Sequence, residues 1–221
     1  MKTGLFFIPL AGLLLANAAQ AAVCQNVNGA PTTVDYDLST TLTAAQNAAG
    51  NTVQLTKNQE VNVQAVCPAG SAFSNRTYRS YVSPYAVVET SGPWKYLKLD
   101  PDYLEGAMRI DDSAAGTLYL PTNYAYMGTD DSVNAGKPFY IRDSNLVFQL
   151  KIARPFVGTV TITPKTMFNV YVTTGTSDPL SNVVYNIAYS GTVTVPQSCE
   201  INAGQTILVD FGSLYSGGFN R

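Results

Sequence analysis

The chain contains no histidine. Serine–histidine–aspartate and cysteine–histidine catalysis are therefore excluded, and one of the commonest zinc ligands is missing. Cysteine is scarce: Cys24, Cys67 and Cys199 are too few and too far apart for a C-x-x-C metal motif. No metal and no cofactor is expected. Charge is sparse as well, 13% of residues, with 13 basic against 15 acidic side chains. That balance speaks against nucleic acid or an anionic membrane as partner. Helical periodicity is nowhere sustained; only Leu42 to Gly50 has a helix-friendly composition, and it is short. No internal repeat or low-complexity tract is visible.

One long apolar run does occur, at the very start. Lys2 precedes Leu5 to Leu15, and Ala19-Gln20-Ala21 has the A-x-A form of a cleavage site. Residues 1–21 read as a secretory signal peptide, with Ala22 as the first mature residue. The run is too short for a membrane span of ~20 residues, and no later run is long enough. Cleavage takes Lys2 and no acid, leaving 12 basic and 15 acidic residues and a net charge of −3.

Export implies an oxidising compartment, in which disulfides persist. Three cysteines leave one without an internal partner. Pairing Cys24 with Cys67 staples the N-terminus to the fold; pairings that use Cys199 remain open at this level.

Threonine, valine, asparagine and tyrosine fill much of the rest. Alternation at period two runs through Thr52 to Leu55 and Val61 to Val66, around the turn Lys57-Asn58-Gln59. It continues through Arg76 to Tyr85, Asn145 to Arg154, Val157 to Thr163, Thr166 to Thr173 and Val183 to Val195. In NLVFQLKIAR, Leu146, Phe148, Leu150 and Ile152 share one face. Turn signals such as Ser91-Gly92-Pro93, Arg154-Pro155 and Thr163-Pro164 separate the runs. Many short strands with regular turns predict an all-β fold, an elongated β-sandwich or barrel of jelly-roll-like kind. Trp94 to Ala135, richer in Asp, Gly and Tyr, is expected to form long loops between strands.

Paired acids stand at Asp111-Asp112, Asp130-Asp131 and Asp100 with Asp102. Two carboxylates across a cleft could hydrolyse a glycosidic bond, and acidic turns could hold calcium. Adjacent aspartates in turns more commonly cap their own backbone, and no EF-hand spacing is present, so no catalytic residue is assigned. Asn75-Arg76-Thr77 has the form of a glycosylation sequon. Sugar binding suits the residue types better. Hydroxyl groups need side chains that donate and accept, and sugar C–H surfaces lie against aromatic faces. Such groups occur at Asn75 and Arg76, Trp94 and Tyr96, Tyr124 and Tyr126 near Asp130, and Asp178 with Asn182. The competing reading is that the aromatics are core residues or cross-strand pairs and the polar groups cap turns.

Four stretches carry a family resemblance. Cys24 is the third mature residue. AGNTVQLTKNQEVNVQAVC (Ala49 to Cys67) looks like a strand pair ending in a second cysteine. VVYNIAYSGTVTVPQSC (Val183 to Cys199) looks like a last lectin strand followed by a linker, and CEINAGQTILVDFGSL (Cys199 to Leu214) like the first strand of a pilin domain. Together they resemble the two-domain tip adhesins of bacterial chaperone–usher pili, of type 1 adhesin kind. The resemblance implies a β-sandwich lectin domain over residues 22–195. Residues 196–221 would be the linker and first strand of an incomplete immunoglobulin-like pilin domain, a truncated one in this chain, with Cys199 unpaired here and the residues after Val195 packing poorly. It further implies a fimbrial adhesin without enzymatic activity, exported through the periplasm to the cell surface at the pilus tip. Its partners would be a host glycan or glycoprotein, a periplasmic pilus chaperone, an usher, and an adjacent pilus subunit that completes the pilin domain by strand addition. A structural pilus subunit and a secreted carbohydrate hydrolase are the alternatives.

The glycan site implied lies in the distal loops. Asp178 is the first residue expected there, with Asn182, Asn75, Arg76, the loop from Ser74, and Tyr126. The type 1 adhesin has an N-terminal phenylalanine, whose α-amino group helps bind mannose, where Ala22 stands here. It has polar sugar ligands where this chain has Pro68-Ala69-Gly70. These departures point to a glycan other than mannose.

Overall fold

The computed structural model describes residues 23–57, 61–68, 75–141, 143 and 145–197. Among these the secondary structure is entirely β, in fifteen strands. One six-stranded sheet runs in the order β4 (Thr52–Lys57), β13 (Leu146–Ile152), β9 (Leu104–Asp112), β8 (Trp94–Lys98), β7 (Glu89–Ser91), with β10 (Gly116–Leu120) also paired to β9. The other runs β11 (Thr122–Thr129), β6 (Arg76–Val82), β14 (Gly158–Thr173), β15 (Tyr185–Val195), β2 (Thr32–Asp37), with β3 (Thr40–Thr41) also on β15. A small third sheet, β1 (Gln25–Asn26), β5 (Val63–Val66) and β12 (Phe139–Ile141), flanks them. The pairings are antiparallel except those of β2 and β3 with β15, which are parallel.

The core lies between the two large sheets. Leu146, Phe148, Leu150 and Ile152 of β13 are buried, as their period-two spacing predicts. Phe148 meets two aromatic rings of the opposite sheet, Tyr36 at 5.3 Å and Tyr189 at 5.2 Å between centroids. Offset and edge-on rings bury large apolar areas and add about 0.5–1.5 kcal/mol per pair beyond burial. The all-β sandwich expected from the alternation is the fold observed.

Cys24 and Cys67 are bonded to each other across 43 residues, and both are fully buried. This decides between the pairings that the cysteine count left open. Cys199, with the pilin-like stretch around it and the leader at residues 1–21, lies outside the described residues.

Three local expectations are corrected. Trp94 to Ala135 is not a region of long loops: it holds β8 to β11 joined by tight turns. Some of its Asp and Gly residues shape those turns, as where Asp112 Oδ1 accepts the main-chain N–H groups of Ala114 and Ala115 at 2.8 and 2.7 Å ahead of Gly116. Thr52–Leu55 and Val61–Val66 do not pair across their turn; β4 joins β13, while β5 joins β1 and β12. Thr163-Pro164 does not end a strand. It is a bulge within β14, marked by a register shift between Ile162 and Lys165. Proline has no N–H for the ladder, and a bulge absorbs the loss. The helix-friendly Leu42 to Gly50 is a turn, in which the side chains of Thr43 and Gln46 cap one another.

Candidate functional site

All three sheets meet around a cavity of about 450 Å³. Thr77 and Arg79 enter it from β6, Met127 from β11, Asp130, Ser132 and Val133 from the turn after β11, Phe139 and Tyr140 from β12, and Asp112 to Ala114 from the β9–β10 hairpin. Acceptors, hydroxyls and apolar surface thus face one space. That mixture is what a polyhydroxylated ligand with a C–H face requires.

The turns that carry the acids are fixed by them. Asp130 Oδ1 accepts the Ser132 N–H at 2.8 Å. Hydrogen bonds from the Ser132 hydroxyl and main chain hold the Asp130 carboxyl below the usual carboxylate range. A glycosidase acid needs the opposite shift. Asn75 is tied to the same turn twice: its Nδ2 donates to Asp131 at 3.1 Å, and its carbonyl accepts the Asp130 N–H at 3.0 Å. Asn75 has φ +52°, a left-handed conformation that asparagine tolerates well.

Beneath the cavity lies a buried polar cluster. Arg79 forms an ion pair with Asp143, and Tyr185 donates to the same carboxylate. Tyr81 donates to Asp143 Oδ2 at 2.9 Å. Burial alone would lower the Arg79 pKa, but the charge of Asp143 and the neighbouring phenols outweigh it and raise it. Burial first, and Asp143 second, push the Tyr81 and Tyr185 phenols up, so both stay neutral donors. The segment from β12 to β13 is thereby pinned to β6 and β15.

The expected site residues do not converge on one point. Asp178 is engaged with its own loop: Oδ2 accepts the N–H of Thr174 at 3.0 Å, that of Gly175 at 2.9 Å and the Thr174 hydroxyl at 3.2 Å. Its carbonyl accepts the Tyr124 hydroxyl at 2.8 Å. Asn182 is exposed and lines a separate hollow of about 280 Å³ with Asn26 and Ser181. Asn75 borders the cavity through its bonds to the 130–131 turn, whereas Arg76 is exposed at the start of β6. Tyr126 is 42% exposed, packs on Tyr78 at 5.5 Å and shares a hydrogen bond with Thr129 at 3.1 Å. Ala22, Ser74, Ala69 and Gly70 lie outside the described residues. Trp94 and Tyr96 are in a strand, not a turn. Trp94 meets Tyr119 edge-on at 5.1 Å, and Tyr96 is buried beneath Lys151. For these two the reading as core or packed strand residues holds. Thr77, Arg79, Asp143 and Tyr185 were not singled out from the sequence. The signal was present in β6, where the inward positions Thr77, Arg79 and Tyr81 place a charge among core residues.

The fold is thus an all-β sandwich with a polar cavity lined from strand ends and loops. Over 210 residues the chain is 52% identical to the type 1 fimbrin D-mannose specific adhesin of Salmonella typhimurium. That alignment covers 95% of this chain and 62% of the relative, so the chain spans less than two thirds of the relative's length. The likeness to type 1 fimbrial adhesins read from the cysteines and strands is thereby shown along nearly the whole chain. No protein-family model matches. Among solved structures, the Proteus mirabilis Ambient Temperature Fimbriae adhesin AtfE aligns with 75% of this chain and 98% of its own, at 10% identity and a TM-score of 0.38.

Proposed function

We propose that this protein is a fimbrial adhesin that binds a host-cell glycan without catalysis. The observation that carries the reading is the cavity of about 450 Å³, in which Asp112, Asp130, Ser132 and Thr77 surround apolar Met127 and Phe139. The identity to a fimbrial adhesin supports it. In this reading residues 1–21 direct export, residues 22–195 form the receptor-binding domain, and residues 196–221 begin a pilin domain. That domain would engage a periplasmic chaperone, an usher and the next pilus subunit, and the protein would stand at the pilus tip. The relative's name gives D-mannose as its specificity, so D-mannose is the first sugar to test, against the expectation drawn from Ala22 and Pro68-Ala69-Gly70.

The test is a glycan array with the full chain, followed by titration of the best sugar into Asp130→Asn and Thr77→Val. Loss of one charged acceptor should weaken binding about tenfold or more, as such hydrogen bonds contribute about 1.5–3 kcal/mol. Failure to bind any host-type glycan would favour a structural pilus subunit. Binding that both variants leave intact would place the site elsewhere in the fold.

A further inference from the structure

Another hollow, of about 350 Å³, shares no lining residue with the main cavity. Its origin lies in the strand pairing. The last pair between β6 and β14 joins Val82 to Asn169, so the first half of β14 has no β6 partner. The bulge at Pro164 falls in that half. Thr161, Thr163 and Lys165 line the hollow from β14, facing Tyr85 from the segment after β6 and Lys98 with the 99–101 loop after β8.

Two lysines line this hollow, and neither ammonium group is in an ion pair among the described residues. Lys165 Nζ donates to the Lys98 carbonyl at 2.9 Å, and Lys98 Nζ donates to the Pro101 carbonyl at 3.1 Å. An ammonium has three N–H donors, so each retains capacity after its one carbonyl. The acid of the hollow, Asp100, is directed at its own loop: its carboxylate accepts the N–H groups of Asp102 at 3.0 Å and Tyr103 at 3.1 Å, and that of Leu104. It tempers the positive field without bonding either lysine. Lys165 also sits 5.0 Å from the Tyr85 ring centroid, and Tyr85 is 42% exposed. Burial pulls the Lys165 pKa down, with Asp100 opposing. A partly desolvated cation bonded only to carbonyls is a configuration that an anion would relieve.

We propose that this hollow is a second binding site, taking a sulfate or carboxylate group carried on a saccharide. The ammonium groups of Lys98 and Lys165 would hold the anion. The Thr161 and Thr163 hydroxyls and the exposed part of Tyr85 would meet the sugar hydroxyls and C–H surface. The whole chain carries a net charge of −2, so attraction of an anionic sugar would be local to this hollow rather than general.

The experiment titrates the full chain with a sulfated heparin-type disaccharide, its unsulfated counterpart, and inorganic sulfate. Lys98→Met, Lys165→Met and, as a control at an exposed lysine that does not line this hollow, Lys137→Met are compared with wild type. The expected result is binding of the sulfated disaccharide only, weakened about tenfold or more by each hollow variant and unchanged by Lys137→Met. Binding should also weaken as salt rises from about 0.1 to 1 M, where the screening length falls from about 10 to 3 Å. Absence of sulfated-disaccharide binding overturns the proposal, as does equal loss in Lys137→Met. Inorganic sulfate binding as tightly as the disaccharide overturns the saccharide part and reduces the site to a simple anion site. Because Lys98 and Lys165 lie outside the first cavity, a failed glycan array with a positive titration here, or the reverse, separates the two readings.

Discussion

Arg79 and Asp143 form a buried ion pair across 64 residues of sequence, and the phenols of Tyr81 and Tyr185 converge on the same carboxylate. Removing one member of such a pair leaves a charge without a partner in a dry site, which costs about 3–5 kcal/mol. Asp143→Ala should lose that much in denaturant unfolding. Tyr185→Phe removes one donor and leaves the ion pair, so its loss should be about 1.5–3 kcal/mol. The reverse ranking would mean that the pair contributes less than its hydrogen bonds.

Five tyrosines, Tyr36, Tyr81, Tyr96, Tyr185 and Tyr189, have phenols held above the ordinary value, chiefly by burial. A group whose pKa is raised on folding contributes in full below its unfolded value, and the contribution is lost as pH rises through the folded one. Stability should therefore be level up to about pH 10 with respect to these groups. Above that it should fall by about 1.4 kcal/mol per pH unit for each tyrosine that ionises only when unfolded. Tyrosinate absorbance should rise first from the accessible rings, then in a late step coincident with loss of near-ultraviolet circular dichroism.

The Cys24–Cys67 bond closes a loop of 43 residues. The chain-entropy treatment assigns about 4 kcal/mol to a closure of that length. Replacing both cysteines by serine should lower the midpoint of thermal unfolding, and reducing agent should do the same to the wild type but not to the variant.

Two glycines with positive φ separate backbone strain from crowding. Gly50 (φ +84°) has nothing within 4 Å of where a Cβ would stand, whereas at Gly191 (φ +134°) a Cβ would lie 2.7 Å from Asp37 Oδ1 and from the Ser39 main-chain nitrogen. Gly50→Ala should cost about 1–2 kcal/mol from the left-handed backbone alone. Gly191→Ala should add about 1–3 kcal/mol of overpacking to its own backbone cost, and chemical denaturation of the two variants side by side measures the difference.

Asp178 acts as an acceptor for its own loop, so Asp178→Ala should speed amide exchange at Thr174 and Gly175 while leaving the sandwich core protected. Asp178→Asn keeps an acceptor oxygen and should exchange more slowly than the alanine variant. If glycan binding falls in both variants alike, Asp178 contacts the sugar; if it falls only in the alanine variant, the loop shape is what matters.

The sandwich was legible because alternation reports burial directly. The spacing of Leu146, Phe148, Leu150 and Ile152 announces an inward face whatever the strand pairs with. Pairing partners were not legible, and β4 and β5 show why: two strands close in sequence went to different sheets, a choice made by long-range packing. Trp94 to Ala135 misled for a related reason, since aspartate and glycine mark turns without giving their length. At the candidate site the sequence drew attention to groups suited to sugars. It could not show that Asp178 and Tyr96 are engaged with neighbours while Arg79, inside an ordinary strand, lies at the cavity.

The long strand β15 has a mechanical meaning. It runs antiparallel to β14 along most of its length and parallel to β2 and β3, and it ends at buried Val195. Tension applied at that residue and opposed from the Tyr185 end would act along the strand axis. The load would then fall on both ladders in shear, with many hydrogen bonds strained together rather than opened one after another. Pulling instead on β7 or β11, which lie at sheet edges with a single partner, would peel the sandwich in a stepwise way. The topology that closes the core thus gives the molecule a strong direction and weak ones.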